Sequence, residues 1–232
     1  MAMNDTSVRV MNKENIVVLD FGGQYSHLIT RRIRELSVYA ELLPYDTLAS
    51  EIQSMKPSGI ILTGGPNSVY DENSPKPDPK IFDLNIPILG ICYGLQIIVN
   101  EMGGSIARTH KREYGKATLS TSSNQKLFTG IDSKTEVWMS HGDATATLPD
   151  NFIAIATTEN SPYAAINSNI LFGVQFHPEV THTADGTKIL RNFLYEICEC
   201  KGLWTMDSFI DTTISKIKSQ VGDDSVLCAL SG

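Results

Sequence analysis

The sequence predicts an α/β fold built on an open, mostly parallel central sheet with helices on both faces and an antiparallel extension. Over the first hundred residues, short apolar runs of the kind found in strands buried on both faces alternate with amphipathic helical segments. This β-α-β-α-β order indicates right-handed crossovers and a parallel sheet. From residue 105 to 175, short strand patterns follow one another with turn residues between them, which predicts the antiparallel part.

Composition limits the class of protein. The chain has 232 residues, 41% of them apolar and 19% charged, which suffices for one α/β domain with a sizeable core. A net charge of −7 without a Lys- or Arg-rich run argues against nucleic-acid binding. The N-terminus lacks an apolar signal segment and no apolar run is long enough to cross a bilayer, so we expect no membrane association.

The four cysteines, at 92, 198, 200 and 228, fit neither a disulfide framework nor a zinc site. Their pattern favours a reducing compartment, and we therefore expect a cytoplasmic protein. No two histidines have the spacing of metal ligands, so we also expect no metal in this domain.

The first half of the chain supplies the parallel strands. Residues 1–14 are expected to form a disordered leader. Apolar runs predict strands at 16–20, 40–43, 59–62 and 88–91. Helical spacing predicts helices at 26–36, 48–55 and 95–102 and a short helix at 80–84, with Thr47 as N-cap of the second.

The second half supplies the antiparallel strands and the last helices. Strands are predicted at 116–120, 136–139, 153–157, 164–167 and 171–175. A helix at 186–200 completes a first domain that spans residues 15–201. Residues 202–232 then predict a linker helix at 207–219, capped by Asp207 or Ser208, and a buried strand at 225–230. Because one core strand cannot complete a sheet, we expect this segment to open a second domain.

One turn concentrates the candidate chemistry. The segment 90–94, GICYG, lies between a predicted strand and a predicted helix and has the Gly-x-nucleophile-x-Gly form of a nucleophile elbow, with Cys92 at the nucleophile position. Such a turn lifts the sulfur into a cleft, and the N-terminus of the following helix favours its thiolate form. A buried core cysteine is the alternative interpretation.

A base for this cysteine is available in the segment His177-Pro178-Glu179. In an extended segment, residues two apart face the same way, so His177 and Glu179 would project together. The carboxylate would then fix the imidazole tautomer and leave the other ring nitrogen for the sulfur. A histidine and a glutamate on an exposed strand end are common, so the weight of this pattern comes from its combination with Cys92.

Two further segments qualify as parts of a site. Gly64-Gly65 ends a predicted strand, and acyl chemistry needs backbone N–H donors for an oxyanion, for which the N–H groups of Gly65 and Tyr93 are candidates. A plain glycine turn is the alternative. The segment 138–143, WMSHGD, has the pattern of a strand that runs into a polar loop, which either presents its backbone to a substrate or is an ordinary turn.

The elbow together with His177-Pro178-Glu179 resembles the class I (triad) glutamine amidotransferases, which have a flavodoxin-like α/β fold. Three segments resemble, more narrowly, the amidotransferase domains of glutamine-hydrolysing GMP synthases: VLDFGGQYSHLI at 18–29, MSHGD at 139–143 and GVQFHPEV at 173–180. The similarity extends from about residue 15 to the end of the sequence. Residues 227–232, LCALSG, resemble the start of the ATP pyrophosphatase domain of those enzymes.

The resemblance implies roles for individual residues. Cys92 would attack the glutamine carboxamide, His177 would transfer the protons and Glu179 would orient His177. Gly65 and Tyr93 would form the oxyanion hole. Four further residues would bind glutamine: Gly64, Gln96, Ser140 and His141.

The resemblance also implies a division of labour. This domain would release ammonia from glutamine without a cofactor. A C-terminal ATP pyrophosphatase domain would use ATP and magnesium to adenylate XMP, and ammonia would displace AMP to give GMP. Ser231 and Gly232 would open the ATP-binding loop of that domain. The full-length enzyme would be a cytoplasmic homodimer.

Three alternatives stay open at this point. The same domain could serve another acceptor, in carbamoyl phosphate, anthranilate or CTP synthesis. A cysteine hydrolase of similar fold could act on peptides or small amides. The third is a catalytically idle module that binds glutamine without turning it over.

Overall fold

Nine strands form one mixed sheet in the computed structural model, which describes residues 14–122 and 125–229. The strands are β1 (Asn15–Asp20), β2 (Tyr39–Pro44), β3 (Gly59–Leu62), β4 (Ile88–Ile91), β5 (Ser105–Thr121), β6 (Lys134–Thr147), β7 (Ile153–Thr157), β8 (Ala165–Ser168) and β9 (Leu171–Val174). Their order across the sheet is β2-β1-β3-β4-β9-β8-β7-β5-β6. Neighbours from β2 to β9 are parallel and all later pairs are antiparallel, which confirms the predicted fold class.

Helices cover both faces of the parallel part. They are α1 (Ser26–Glu35), α2 (Ala49–Met55), α3 (Tyr93–Glu101), α4 (Gly186–Asn192) and α5 (Met206–Val221). Because successive side chains of a strand point to opposite faces, Val18 of β1 packs into the cluster that holds α1 and α4, whereas Val17 packs into the cluster that holds α2 and α3. Both clusters are closed to water, and the parallel strands therefore form a rigid base for the loops at their carboxyl ends.

The start of α2 differs from the prediction. Leu48, and not Thr47, is the N-cap residue, and its side chain makes no capping hydrogen bond. Instead the carboxylate of Asp78 accepts from the backbone N–H of Ala49, 29 positions earlier in the chain, at 2.9 Å. The hydroxyl of Thr47 donates to the carbonyl oxygen of Pro44 at 2.8 Å. A distant carboxylate thus takes the place of the local cap that the sequence predicted.

The predicted leader, residues 1–14, lies outside the described residues except for Glu14. This residue is anchored, because its carboxylate accepts from three consecutive backbone N–H groups: those of Lys201, Gly202 and Leu203, at 2.5, 3.0 and 3.3 Å. The leader prediction is therefore wrong for Glu14.

The antiparallel part contains a longer ribbon than predicted. Strands β5 and β6 pair over most of their length, and their register shifts between Arg108 and Glu113. The strands predicted at 116–120 and 136–139 are only the inner portions of these two. The polar loop predicted within 138–143 is wrong, since these residues continue β6. The outer half of the ribbon lacks apolar alternation because the sheet does not bury both of its faces there.

The C-terminal elements also differ in detail. The helix predicted at 186–200 is α4 followed by a π-helical turn, Phe193–Ile197. Helix α5 is capped by Thr205, whose hydroxyl accepts from the N–H of Ser208 at 3.2 Å, so the predicted caps are wrong by two or three positions. Residues 225–229 form neither helix nor strand, and Leu227 is 96% exposed. No described strand pairs with them, so the predicted strand does not form here, and its role in a second domain stays a prediction. Residues 230–232 lie outside the described residues. No helix of the described chain is long and apolar enough to cross a membrane.

Candidate active site

Cys92 lies at the sharp turn between β4 and α3. Its backbone has φ 53° and ψ −104°, a strained conformation for a residue with a side chain, and its N–H donates to the carbonyl oxygen of Val174 at 2.8 Å. A Cβ atom at Gly94 would lie 2.2 Å from the carbonyl oxygen of Leu62, and one at Gly90 would lie 2.5 Å from the carbonyl group of Gly94. Only glycine fits at either position, which gives the strand–turn–helix geometry of a nucleophile elbow.

His177 and Glu179 form a buried pair next to Cys92. Nδ1 of the imidazole and Oε1 of the carboxylate are 2.7 Å apart, and the carboxyl side chain is fully enclosed. The backbone of His177 is fixed from both sides: its N–H donates to the carbonyl of Trp138 at 3.0 Å, and its carbonyl accepts from the hydroxyl of Thr183 at 2.6 Å. The expected extended geometry is wrong, because β9 ends at Val174 and a turn at 178–180 brings the two side chains together.

The electrostatics of this pair favour a charged imidazole. Burial alone lowers the pKa of His177, but hydrogen bonds to the sulfur of Cys92 and to the carboxylate of Glu179 outweigh it and raise the pKa to about 10. His177 is therefore an imidazolium at neutral pH. A cation in hydrogen-bond contact with sulfur is the partner that a thiolate nucleophile requires.

Two further groups approach the sulfur. The carbonyl oxygen of Ser140 and the side-chain amide nitrogen of Gln175 each lie 3.7 Å from Sγ of Cys92. Gln175 is wholly buried, so its N–H is held against the sulfur as a donor. The sequence analysis missed Gln175. The available signal was its position two residues before His177 at the end of the same strand.

A cavity of about 710 Å³ opens above the sulfur, a volume suited to a small molecule. It lies at the carboxyl ends of the parallel strands, where open α/β sheets bind their ligands. Every predicted catalytic, oxyanion and glutamine-binding residue within the described chain lines it: Gly64, Gly65, Cys92, Tyr93, Gln96, Ser140, His141, His177 and Glu179. Ser231 and Gly232, predicted for ATP, lie outside the described residues.

The two glycines form the wall of the cavity beside the sulfur. A Cβ atom at Gly64 would lie 3.2 Å from Cε1 of His177 and 3.7 Å from Cβ of Cys92. One at Gly65 would lie 2.7 Å from the carbonyl oxygen of Phe21. Tyr93 is the first residue of α3, so its N–H has no acceptor within the helix. Backbone N–H groups of both Gly65 and Tyr93 therefore belong to the wall next to the nucleophile.

The opposite wall is the stretch 140–143 of β6. The side-chain amide of Gln96 donates to the carbonyl oxygen of Asp143 at 3.0 Å. Both ring nitrogens of His141 are already engaged, Nδ1 with this same oxygen at 3.0 Å and Nε2 with Glu113 at 3.1 Å. Burial lowers the pKa of His141, against the opposing effect of Glu113. His141 can therefore offer glutamine its backbone but not its imidazole.

Two other residues escaped the sequence analysis. The ring of Tyr25 packs edge-to-face on the imidazole of His177, with centroids 5.4 Å apart. The carboxylate of Asp143 accepts from the hydroxyls of Ser68 and Tyr70, the latter at 2.7 Å, and so ties the loop after Gly65 to β6. Tyr25 and Asp143 both lie in the segments that carried the resemblance, but no pairwise signal linked them to their partners.

Comparison with known proteins identifies the family. The model of the class-I glutamine amidotransferase family matches residues 17–197. The chain belongs to the class-I glutamine amidotransferases. Among curated relatives of this amidotransferase domain, the glutamine-hydrolysing GMP synthase of Heliobacterium modesticaldum is 51% identical over 94% of the chain and 43% of its own length. That of Syntrophomonas wolfei is 53% identical over 96% of the chain and 44% of its own length. The chain thus spans less than half the length of these relatives.

Solved structures give the same family. A protein of Thermoplasma acidophilum, provisionally named as part of a GMP synthase, has 34% identity and a TM-score of 0.73, with 88% of this amidotransferase chain and 98% of that one covered. A glutamine amidotransferase of Thermotoga maritima has a TM-score of 0.68 at 20% identity, with 81% and 99% covered, and supports the fold alone.

Proposed function

We propose that this amidotransferase domain hydrolyses glutamine to glutamate and ammonia, with Cys92 as the nucleophile. The observation that carries the proposal is the arrangement of one thiol, one charged imidazole and one buried carboxylate at the wall of a single cavity. Family membership supports the same chemistry.

The first half of the reaction forms a thioester. The sulfur of Cys92 attacks the carboxamide carbon of glutamine, and the carbonyl oxygen becomes an oxyanion. The imidazolium of His177 gives its proton to the leaving nitrogen as the C–N bond breaks, which releases ammonia. Glu179 holds Nδ1 and thereby directs the other nitrogen of the ring to the reacting atoms.

The second half consumes water. His177, now neutral, takes a proton from a water molecule while the oxygen of that water attacks the thioester carbon. The C–S bond then breaks, glutamate leaves and ionises, and the thiolate and imidazolium are restored. In both halves, the backbone N–H groups of Gly65 and Tyr93 stabilise the oxyanion, because they are fixed beside the sulfur before substrate arrives. Four residues bind the rest of glutamine: Gly64, Gln96, Ser140 and, through its backbone, His141.

The test is chemical labelling, which needs no partner domain. The domain is treated with a diazoketone analogue of glutamine, with and without excess glutamine, and the modified residue is read by mass spectrometry. We expect modification at Cys92 alone, blocked by glutamine, while Cys198, Cys200 and Cys228 act as internal controls. Cys92→Ala should abolish labelling and lower glutaminase activity by roughly a thousandfold or more. Labelling that ignores glutamine, or activity retained in Cys92→Ala, would contradict the proposal.

We further propose that the ammonia aminates XMP in a longer polypeptide. The GMP synthase names of the relatives support this acceptor over carbamoyl phosphate, anthranilate or CTP synthesis. In this proposal a C-terminal ATP pyrophosphatase domain supplies the ATP, magnesium and XMP sites, and Ser231 and Gly232 begin its ATP-binding loop. The amidotransferase domain needs no cofactor or metal of its own. The whole enzyme is proposed to be a cytoplasmic homodimer that binds neither membrane nor nucleic acid.

A further inference from the structure

Glu113 is a buried acid directly behind the glutamine-binding wall. It lies on β5, is 7% exposed, and is paired in register with His141 of β6. The register shift of the ribbon lies immediately before this pair. Bulges of this kind re-aim side chains next to functional sites, and here the bulge faces the carboxyl group towards the imidazole.

The carboxyl group makes two hydrogen bonds. Oε2 lies 3.1 Å from Nε2 of His141, and Oε1 accepts from the hydroxyl of Thr158 at 3.1 Å. The hydroxyl of Thr158 in turn accepts from the backbone N–H of Ser161 at 3.0 Å. Glu113 is thus fixed on both of its oxygens, and its position is not free to change when the cavity fills.

The contacts of His141 define where its protons are. Nδ1 faces the carbonyl oxygen of Asp143, which can only accept, so Nδ1 carries a proton. Nε2 faces the carboxyl group of Glu113, so one proton lies on that bridge. Carboxylate with imidazolium, or carboxylic acid with neutral imidazole, both satisfy it, and both leave the pair without net charge. In either arrangement Nδ1 is a donor, and it is Glu113 that prevents the opposite tautomer.

This donor acts on the wall of the cavity. The carbonyl of Asp143 accepts from both His141 and Gln96, each at 3.0 Å. Residues 140–143 line the cavity, and the carbonyl of Ser140 lies 3.7 Å from the sulfur of Cys92. We propose that Glu113 is a positioning residue for glutamine binding: it fixes His141 as a donor to Asp143 and so holds the backbone wall that receives the substrate. This inference rests on the proposed glutaminase function.

A matched pair of variants tests it. In Glu113→Gln the amide N–H can still donate to Nε2 of His141, and the amide oxygen can still accept from Thr158, so the tautomer is preserved. Glu113→Leu has a similar size and no polar atom. We expect Glu113→Leu to weaken glutamine protection of Cys92, and to slow labelling by the diazoketone analogue, by about tenfold or more, with Glu113→Gln within about threefold of wild type. Alkylation of Cys92 by iodoacetamide, which does not use the glutamine wall, should change by less than about twofold in both variants.

The outcomes separate the two proposals. Normal analogue labelling in Glu113→Leu, or equal loss in both variants, would overturn the role of Glu113 and leave the glutaminase proposal standing. A wild-type domain that the analogue does not label would overturn both. Should Glu113→Leu fail to fold, ¹⁵N NMR of His141 in wild type and Glu113→Gln decides the matter: a protonated Nδ1 in both supports the inference, and an unprotonated Nδ1 overturns it.

Discussion

The charge on His177 determines which proton transfers the site can perform. An imidazole that is already protonated can give its proton to departing ammonia without first taking one from solvent. The hydrogen bonds that raise its pKa come from Cys92 and Glu179, so the charge depends on the two groups with which His177 acts. Gln175 adds a neutral N–H donor to the sulfur from the other side, and favours the negative form without a further charge.

This charge can be measured directly. Selective ¹⁵N labelling of histidine should show the ring of His177 in the imidazolium form at pH 8, with a change to the neutral form near pH 10. Because this value lies above the unfolded value of about 6.5, protonation of His177 stabilises the fold fully below about pH 6.5 and loses that effect as the pH rises through about 10. In Cys92→Ala the transition should occur at lower pH, since one partner is gone. A midpoint that does not move would show that the sulfur does not support the charge.

How far the sequence leads at the residue scale depends on the distance between partners along the chain. The pair His177 and Glu179 could be predicted because two positions separate them, although the geometry that joins them is a turn and not a strand. Glu113 could not, because its partner His141 is 28 positions away and a register shift aligns the two. A buried acid in a polar run has no periodic signal that distinguishes it from a solvated one.

At the element scale, the contact of β3 with α3 positions the nucleophile. Gly94 lets α3 approach so closely that a Cβ atom there would lie 2.2 Å from the carbonyl oxygen of Leu62. The approach brings the helix N-terminus, and the N–H of Tyr93, to the sulfur. The elbow is therefore a packing requirement between two elements as well as a local turn.

Gly94→Ala tests this contact. The added methyl group must push α3 away from β3, and overpacking of this kind costs roughly 1–3 kcal/mol. We expect the free energy of unfolding in urea to fall by about that amount and analogue labelling of Cys92 to slow, since the helix N-terminus moves. Asn100→Ala, at an exposed position of the same helix, is the control and should stay within about 0.5 kcal/mol of wild type. Equal stability and labelling in Gly94→Ala would mean that the contact is not required.

The parallel strands could be predicted to within about two residues because burial on both faces gives them continuous apolar sequences. The ribbon of β5 and β6 could not, since its outer half is partly solvated and its register depends on the shift after Arg108. That ribbon nevertheless carries the 140–143 wall. The part of the site that binds substrate is thus less visible in the sequence than the part that performs the chemistry.

At the scale of the whole molecule, α5 presents an exposed apolar face beyond the matched residues 17–197. Ile210, Ile214 and Ile217 are each nearly half exposed. The base of the helix is docked, because the N–H of Trp204 donates to the carbonyl of Ser37 at 3.0 Å and its ring is buried. A firmly docked base with an open apolar face fits a helix that links this domain to the proposed synthetase part.

The division between two active sites gives the last prediction. If the amidotransferase site only supplies ammonia, a full-length enzyme with Cys92→Ala should lose glutamine-dependent GMP formation by roughly a thousandfold or more and keep its GMP formation from added ammonium, XMP and ATP. The matched control is Cys228→Ala, whose thiol is exposed and far along the chain from the elbow, and which should keep both activities. Loss of both activities in Cys92→Ala would mean that the thiol acts beyond glutamine hydrolysis. Retention of both would remove Cys92 from the reaction, and neither result is compatible with two sites coupled only by ammonia.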